Sequence, residues 1–149
     1  MSEQNTQLMQ RWFQEVWNEG RTQTIYDLLA PDAVATGQAG PAAQLRGPDE
    51  FVGFVERLRG AFPDIKVTVE DVIAAGDRVA LRWSATMTHT GHTLGPASGN
   101  SVRSTGITIA RFVDGKIVEG WDSWDQLGML EQIGAYQAPA SVIPLKKTA

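Results

Sequence analysis

At 149 residues, 42% hydrophobic and 20% charged, the chain is large enough for one domain (1–149) with a core and a pocket. A net charge of -4 with no run of Lys or Arg argues against a nucleic-acid surface, and the lack of cysteine excludes disulfides, thiolate metal sites and cysteine nucleophiles. No apolar stretch approaches the roughly 20 residues of a membrane span, and the N-terminus lacks the basic start and apolar run of a secretion signal. The expectation is a cytoplasmic protein that acts on a small molecule, with neither nucleic acid nor membrane as a partner.

In chain order, residues 4–18 form an amphipathic helix, because Leu8, Trp12, Phe13, Val16 and Trp17 recur on one face; Gly20 ends it. A shorter helix over 22–29 carries Ile25, Leu28 and Leu29 and is closed by Pro31-Asp32. Residues 37–46 read as a loop. Gly47-Pro48-Asp49-Glu50 opens a third helix, with proline in the first turn and acids at the positive end of the dipole. Its apolar stripe is Phe51, Phe54, Val55 and Leu58, and Phe62-Pro63-Asp64 stops it.

The period then changes to two. Ile65, Val67 and Val69 alternate with Lys66, Thr68 and Glu70, and Gly76-Asp77 turns the chain. Residues 79–87 make a long strand, with Val79, Leu81, Trp83, Ala85 and Met87 on one side and Arg82, Ser84 and Thr86 on the other. A connection over 89–100, holding three glycines and a proline, leads to a strand over 101–113. Asp114-Gly115 takes the positive φ angles of a tight hairpin and starts the next strand. Leu127, Met129, Leu130 and Ile133 suggest a short helix before Gly134, and 135–149 reads as an extended tail beyond a core of about 4–134. Three helices followed by long antiparallel strands make an α+β pattern, and a curved sheet around the helices would enclose a cone-shaped cavity.

The strand after Asp114-Gly115 carries a carboxylate between two tryptophans, Trp121-Asp122-Ser123-Trp124. Alternation puts Val118, Gly120, Asp122 and Trp124 on one face and Ile117, Glu119, Trp121 and Ser123 on the other. A carboxylate beside an aromatic on a covered face loses hydration, which raises its pKa toward neutrality and suits it to proton transfer. Asp122 is the leading candidate for an active-site acid/base.

The order of elements, with Val16-Trp17-Asn18-Glu19-Gly20, Ala61-Phe62-Pro63-Asp64, Thr88-His89-Thr90-Gly91 and Gly115-Lys116-Ile117-Val118-Glu119, resembles the SnoaL-like polyketide (ester) cyclase branch of the nuclear transport factor 2-like superfamily. The resemblance runs over about residues 4–134. It implies a cone-shaped (cystatin-like) α+β roll, with three N-terminal helices on a strongly curved, mixed but mainly antiparallel sheet that encloses a pocket. It also implies an intramolecular aldol condensation without metal or organic cofactor, with Asp122 at the position of the catalytic aspartate. Thr108 stands where anthracycline-pathway cyclases carry a histidine. Where the related epoxide hydrolases use Arg-x-Asp, this chain reads Arg82-Trp83-Ser84, which keeps the arginine and lacks the second carboxylate. Epoxide opening therefore ranks below cyclisation or isomerisation, and a non-catalytic carrier of a hydrophobic ligand is the alternative of another class.

The resemblance places Trp17, Phe54 and Trp124 on the pocket wall and leaves Trp12, Phe13 and Phe51 as plain core. Arg82 and Ser84 share a strand face; pointing inward, Arg82 would reach Asp122 and depress its pKa, opposing the effect of burial. Arg82, His89 and Ser84 are candidate donors to a substrate oxygen, and Tyr26 is a further donor into the cavity. His89 and His92 form a His-x-x-His without a third ligand at convincing spacing, so His89 reads as a pocket-rim group rather than a metal ligand. Finally, Ile107 and Ile109 cannot share one cavity with Val79, Leu81 and Trp83, which predicts a homodimer through the outer sheet face.

Overall fold

The computed structural model describes residues 2–137, so the predicted tail lies mostly outside the described residues. Helix α1 (Ser2–Trp12) continues into a π-helical turn, Phe13–Asn18, followed by α2 (Gln23–Leu28), β1 (Leu29–Thr36), β2 (Gln44–Arg46) and α3 (Gly47–Ala61). Then come β3 (Lys66–Ala75), β4 (Arg78–Thr88), β5 (Ser101–Val113), β6 (Lys116–Trp124) and α4 (Gln126–Gln132). The six strands lie in the order β2-β1-β6-β5-β4-β3. Every neighbouring pair is antiparallel except β1 with β6, so the sheet is mixed, as the resemblance implies. Among the described residues no helix is long and apolar enough to cross a membrane.

One face of the sheet closes on the helices. Val79, Leu81, Trp83, Ala85 and Met87 of β4, and Val102, Ala110 and Phe112 of β5, pack into one core with Met9, Phe13, Val16, Val55 and Phe62. Strand β5 alternates strictly, odd-numbered residues outward and even-numbered inward until Arg111. Two local devices hold the helices. Asn18, at the end of the π turn, accepts from the Val67 amide at 2.6 Å and donates to the Val67 carbonyl at 3.0 Å, so its side chain stands in for a neighbouring strand at the edge of β3. In the β4–β5 connection, the Gly91 amide donates to the Ala61 carbonyl at 3.0 Å, which the end of α3 leaves free, and the Thr93 hydroxyl donates to the Arg57 carbonyl at 2.6 Å.

Two expectations change. The short helix closes before Pro31-Asp32 as expected, but the chain then enters β1 directly and runs parallel to β6, and Gln44–Arg46, within the segment read as a loop, pairs with β1 as β2. The ladder between β1 and β6 is interrupted from Leu29 to Val34, so Pro31, which has no N–H to give, falls where none is required. Secondly, Ile117 does not share a face with Glu119 and Trp121. Phe112 pairs with Ile117 and Arg111 with Glu119, leaving Val118 as an extra residue. This bulge lets both Ile117 and the Gly120-Asp122-Trp124 series turn inward.

Candidate active site

Adjacent strands bring the central groups together. In the β5–β6 ladder Thr108 lies opposite Asp122 and Gly106 opposite Trp124, while Gly106 also faces Trp83 of β4. Gly106 leaves the Trp83 indole its place, since a Cβ there would strike Trp83 and Trp124. The indole N–H of Trp83 donates to the Thr108 hydroxyl at 3.0 Å, and that hydroxyl donates its own hydrogen to Asp122 Oδ1. The carboxyl thus ends a short relay of oriented dipoles rooted in the core.

Around it the cavity is aromatic. Trp17 meets Phe54 edge to face at 6.0 Å, Phe54 meets Phe51 at 6.0 Å, and Phe51 meets Trp12 at 5.1 Å. Trp12, Phe13 and Phe51, expected as plain core, are buried and line the cavity as well. The π turn, closed by the Glu19 amide on the Gln14 carbonyl at 3.0 Å, carries Trp17 into this wall. Gln38, Ser104, Thr108 and Asp122 supply the polar lining, and Asp122 and Trp124 also border an open groove beside the 37–43 loop.

This setting acts on Asp122 in two opposed ways. Burial among aromatic groups disfavours the charged form, while the hydrogen bond from Thr108 and the Trp83 N–H behind it favour it; burial prevails and pushes the pKa from 3.8 up to about 6. Removing the hydroxyl in Thr108→Val should raise the Asp122 pKa further, because the ionised carboxylate loses its donor. A side-chain carboxyl NMR titration checks this, and an unchanged or lower midpoint would show that the hydroxyl does not support the charged form.

Of the residues expected at the site, Asp122, Thr108, Trp17, Phe54 and Trp124 share this cavity. Four others stand elsewhere. Arg82 is exposed on the convex face opposite Ile107, because Leu81 and Trp83 on either side of it turn inward. It makes no ion pair with Asp122, so nothing opposes burial in the way an inward arginine would. Ser84, on the same convex face, donates to Glu70 at 2.5 Å. Tyr26 is 44% exposed and donates to Asp49 at 2.6 Å, which raises the phenol pKa. His89 is not at the rim: it is 1% exposed, packs on Phe62, and holds Ser98 through Nδ1 at 2.9 Å. His92 Nδ1 accepts from its own loop, the Ala97 amide at 3.3 Å. Ser104 and Gln38 were not singled out from the sequence. Ser104 shares the inward register of Val102 and Thr108, a signal that alternation carries, whereas Gln38 lies in a loop without periodicity.

The chain has the curved α+β roll of a nuclear transport factor 2-like fold, and its cavity is lined by aromatic groups and one ionisable side chain, Asp122. By sequence it belongs to the SnoaL-like polyketide cyclase family, whose profile matches residues 7–133. It is 29% identical over 123 residues to the aklanonic acid methyl ester cyclase DauD of Streptomyces sp. (strain C5), covering 80% of this chain and 76% of DauD. Among solved structures it is similar to IdmH of Streptomyces antibioticus, a candidate polyketide cyclase, with 33% identity and a TM-score of 0.75 over 87% of this chain and 98% of IdmH. A candidate SnoaL-like polyketide cyclase from Jannaschia sp. CCS1 gives 26% identity and a TM-score of 0.81 over 91% and 95% of the two chains.

Proposed function

We propose that the protein closes a ring in a polyketide-type carbonyl compound by intramolecular aldol condensation, with Asp122 as the acid/base. The observation that carries this reading is the Asp122 carboxyl itself, buried in an aromatic cavity, held by Thr108 and poised near neutrality. Ionised Asp122 takes a proton from carbon α to a carbonyl, and the C–H electron pair becomes an enolate. The enolate carbon attacks a second carbonyl of the same molecule, forming the new C–C bond. Protonated Asp122 then returns its proton to the resulting alkoxide, so the product is an isomer of the substrate. A group with a pKa near 6 suits both halves, being mostly ionised at pH 7 yet acidic enough to give the proton back. The aromatic walls exclude water and fold the chain so that the two carbons meet.

Aklanonic acid methyl ester, the compound in the relative's name, is the first substrate to test. Since the base form starts the reaction, kcat/KM should rise with pH through about 6 and then level off. A profile flat from pH 5 to 8, or a carboxyl NMR midpoint at the ordinary 3.8, would overturn the assignment. No observation favours epoxide opening, for which the only arginine of the expected pair faces away from the cavity.

The convex face supports a homodimer. Ile73 is 68% exposed, Ile107 53%, Val113 45% and Ile109 37%, a set of large apolar groups on one side of the sheet. Light scattering at micromolar concentration should give twice the chain mass, and Ile107→Lys should halve it; a monomeric wild type would refute the dimer.

A further inference from the structure

Gln38 is a buried polar side chain that folding does not use. It lies in the 37–43 loop, is 6% exposed, and lines the same cavity as Asp122, yet its amide oxygen has no hydrogen-bond partner among the described residues. Such an atom lowers the stability of the fold, and the amide that carries it is free to take a partner from a bound molecule.

Its backbone has little freedom. Gly37, at φ +97°, lies directly on the backbone of Asp122, and a Cβ there would run into the Asp122 carbonyl. The Gln38 carbonyl accepts the indole N–H of Trp124 at 2.8 Å. The loop is thus held against β6 at Asp122 and again two residues on, and the Gln38 side chain lines the cavity that Asp122 also lines. Gly120, on the same inward face of β6, has no side chain to occupy this space; the nearest atom to a Cβ there would be the Gln38 amide nitrogen at 3.9 Å.

The chemistry needs a donor at this place. Removing a proton from carbon leaves negative charge on an enolate oxygen, and in a dry cavity that charge requires a fixed hydrogen bond. On the strands around Asp122 the donors are committed: the Trp83 N–H to Thr108, the Thr108 hydroxyl to Asp122, and the Trp124 N–H to the Gln38 carbonyl, while the indoles of Trp12 and Trp17 belong to the helical wall. The Ser104 hydroxyl points at the Asp125 carbonyl, 3.5 Å away. From the loop fastened against β6, Gln38 brings uncommitted amide hydrogens, and turning the amide plane exchanges its donor and acceptor ends. We infer that the Gln38 carboxamide is the oxyanion-binding group of the site, donating N–H to the enolate oxygen while Asp122 holds the proton. This rests on the acid/base reading of Asp122.

Gln38→Met keeps the length of the side chain and removes the amide. With aklanonic acid methyl ester, kcat should fall about 100-fold, with KM changed less than threefold. The melting temperature should hold or rise, since an unsatisfied buried oxygen is gone, and Gln38→Asn should recover part of the rate. A second readout needs no turnover and uses the Asp122→Asn background, where no carboxylate charge competes. There 2-naphthol ionised at alkaline pH, its charged oxygen mimicking the enolate, should quench cavity tryptophan fluorescence and bind at least 10-fold more weakly once Gln38→Met is added. A kcat within threefold of wild type, equal naphthol affinity, or a rate loss that tracks a lower melting temperature would overturn the inference. If Asp122→Asn abolishes turnover while Gln38→Met does not slow it, only the role of Gln38 fails. If Asp122→Asn turns over normally, both fall.

Discussion

Asp122→Asn is expected to lower kcat by about 10³-fold, within the range for loss of a positioned general base, and at the same time to stabilise the protein at neutral pH. The substitution keeps the shape of the side chain and the acceptor oxygen facing Thr108, so the hydrogen-bond relay from Trp83 persists. The proton-accepting function is what disappears. The stability gain follows from linkage. The folded pKa, about 6, lies above the ordinary 3.8, so between these values the native state binds more protons than the unfolded chain, and stability falls as pH rises. Well below pH 3.8 the carboxyl is neutral in both states and costs nothing; well above pH 6 the penalty is complete, roughly 3 kcal/mol. Asp122→Asn should therefore melt several degrees above wild type at pH 7.5, with the difference shrinking steadily as the pH falls from 6 toward 3.8. A mutant that is less stable at pH 7.5 would mean that the carboxylate is well solvated in the native state, and would remove the physical basis of the mechanism.

Gly37→Ala should damage both stability and activity. At φ +97° an L side chain is strained, and here the atom that a Cβ would meet is the backbone carbonyl of Asp122, which has no rotamer to retreat to. Either the 37–43 loop lifts, carrying Gln38 off Trp124, or β6 moves and separates Asp122 from Thr108. A loss of at least about 2 kcal/mol is expected, read as a melting temperature lower by about 5 °C or more. Turnover should fall even where the protein remains folded. Gly53→Ala is the control: this glycine sits on the exposed side of α3 with no atom within 4 Å of a Cβ, so it should stabilise slightly. Equal behaviour of the two variants would show that the contact between Gly37 and Asp122 does not constrain the site.

Much of the architecture was legible from periodicity. Leu8, Trp12, Val16 and the Phe51-Val55 stripe mark their helices because packing against a sheet demands one apolar face. The change to alternation at Ile65 marks where the sheet begins. Asp114-Gly115 announces its hairpin because only such residues accept two positive φ angles in succession, +50° and +76° here. The candidate carboxylate was legible too, since Asp122 between two tryptophans cannot be far from an apolar surface.

Other features depend on partners distant in the chain. Alternation groups Arg82 with Ser84 and Trp83 with Leu81, but it does not say which group faces the cavity. The helices decide that by covering the side that carries Trp83. The bulge at Val118 reverses the facing of Ile117, and Pro31 becomes compatible with a strand only because the ladder to β6 lapses there. His89 looked like a rim residue until the connection folded it onto Phe62. Gln38 owes its place to a glycine pressed on one residue of β6 and an indole held by another. The sequence by itself determined the helices, the four long strands after Ile65, the turn and the acid/base candidate, because these follow from local periodicity and backbone preference, whereas β1 and β2 carry no such signal. The tertiary structure alone decided the concave face, the relay Trp83–Thr108–Asp122 and the unpartnered amide of Gln38, because each depends on strand register and on contacts between segments far apart in the chain.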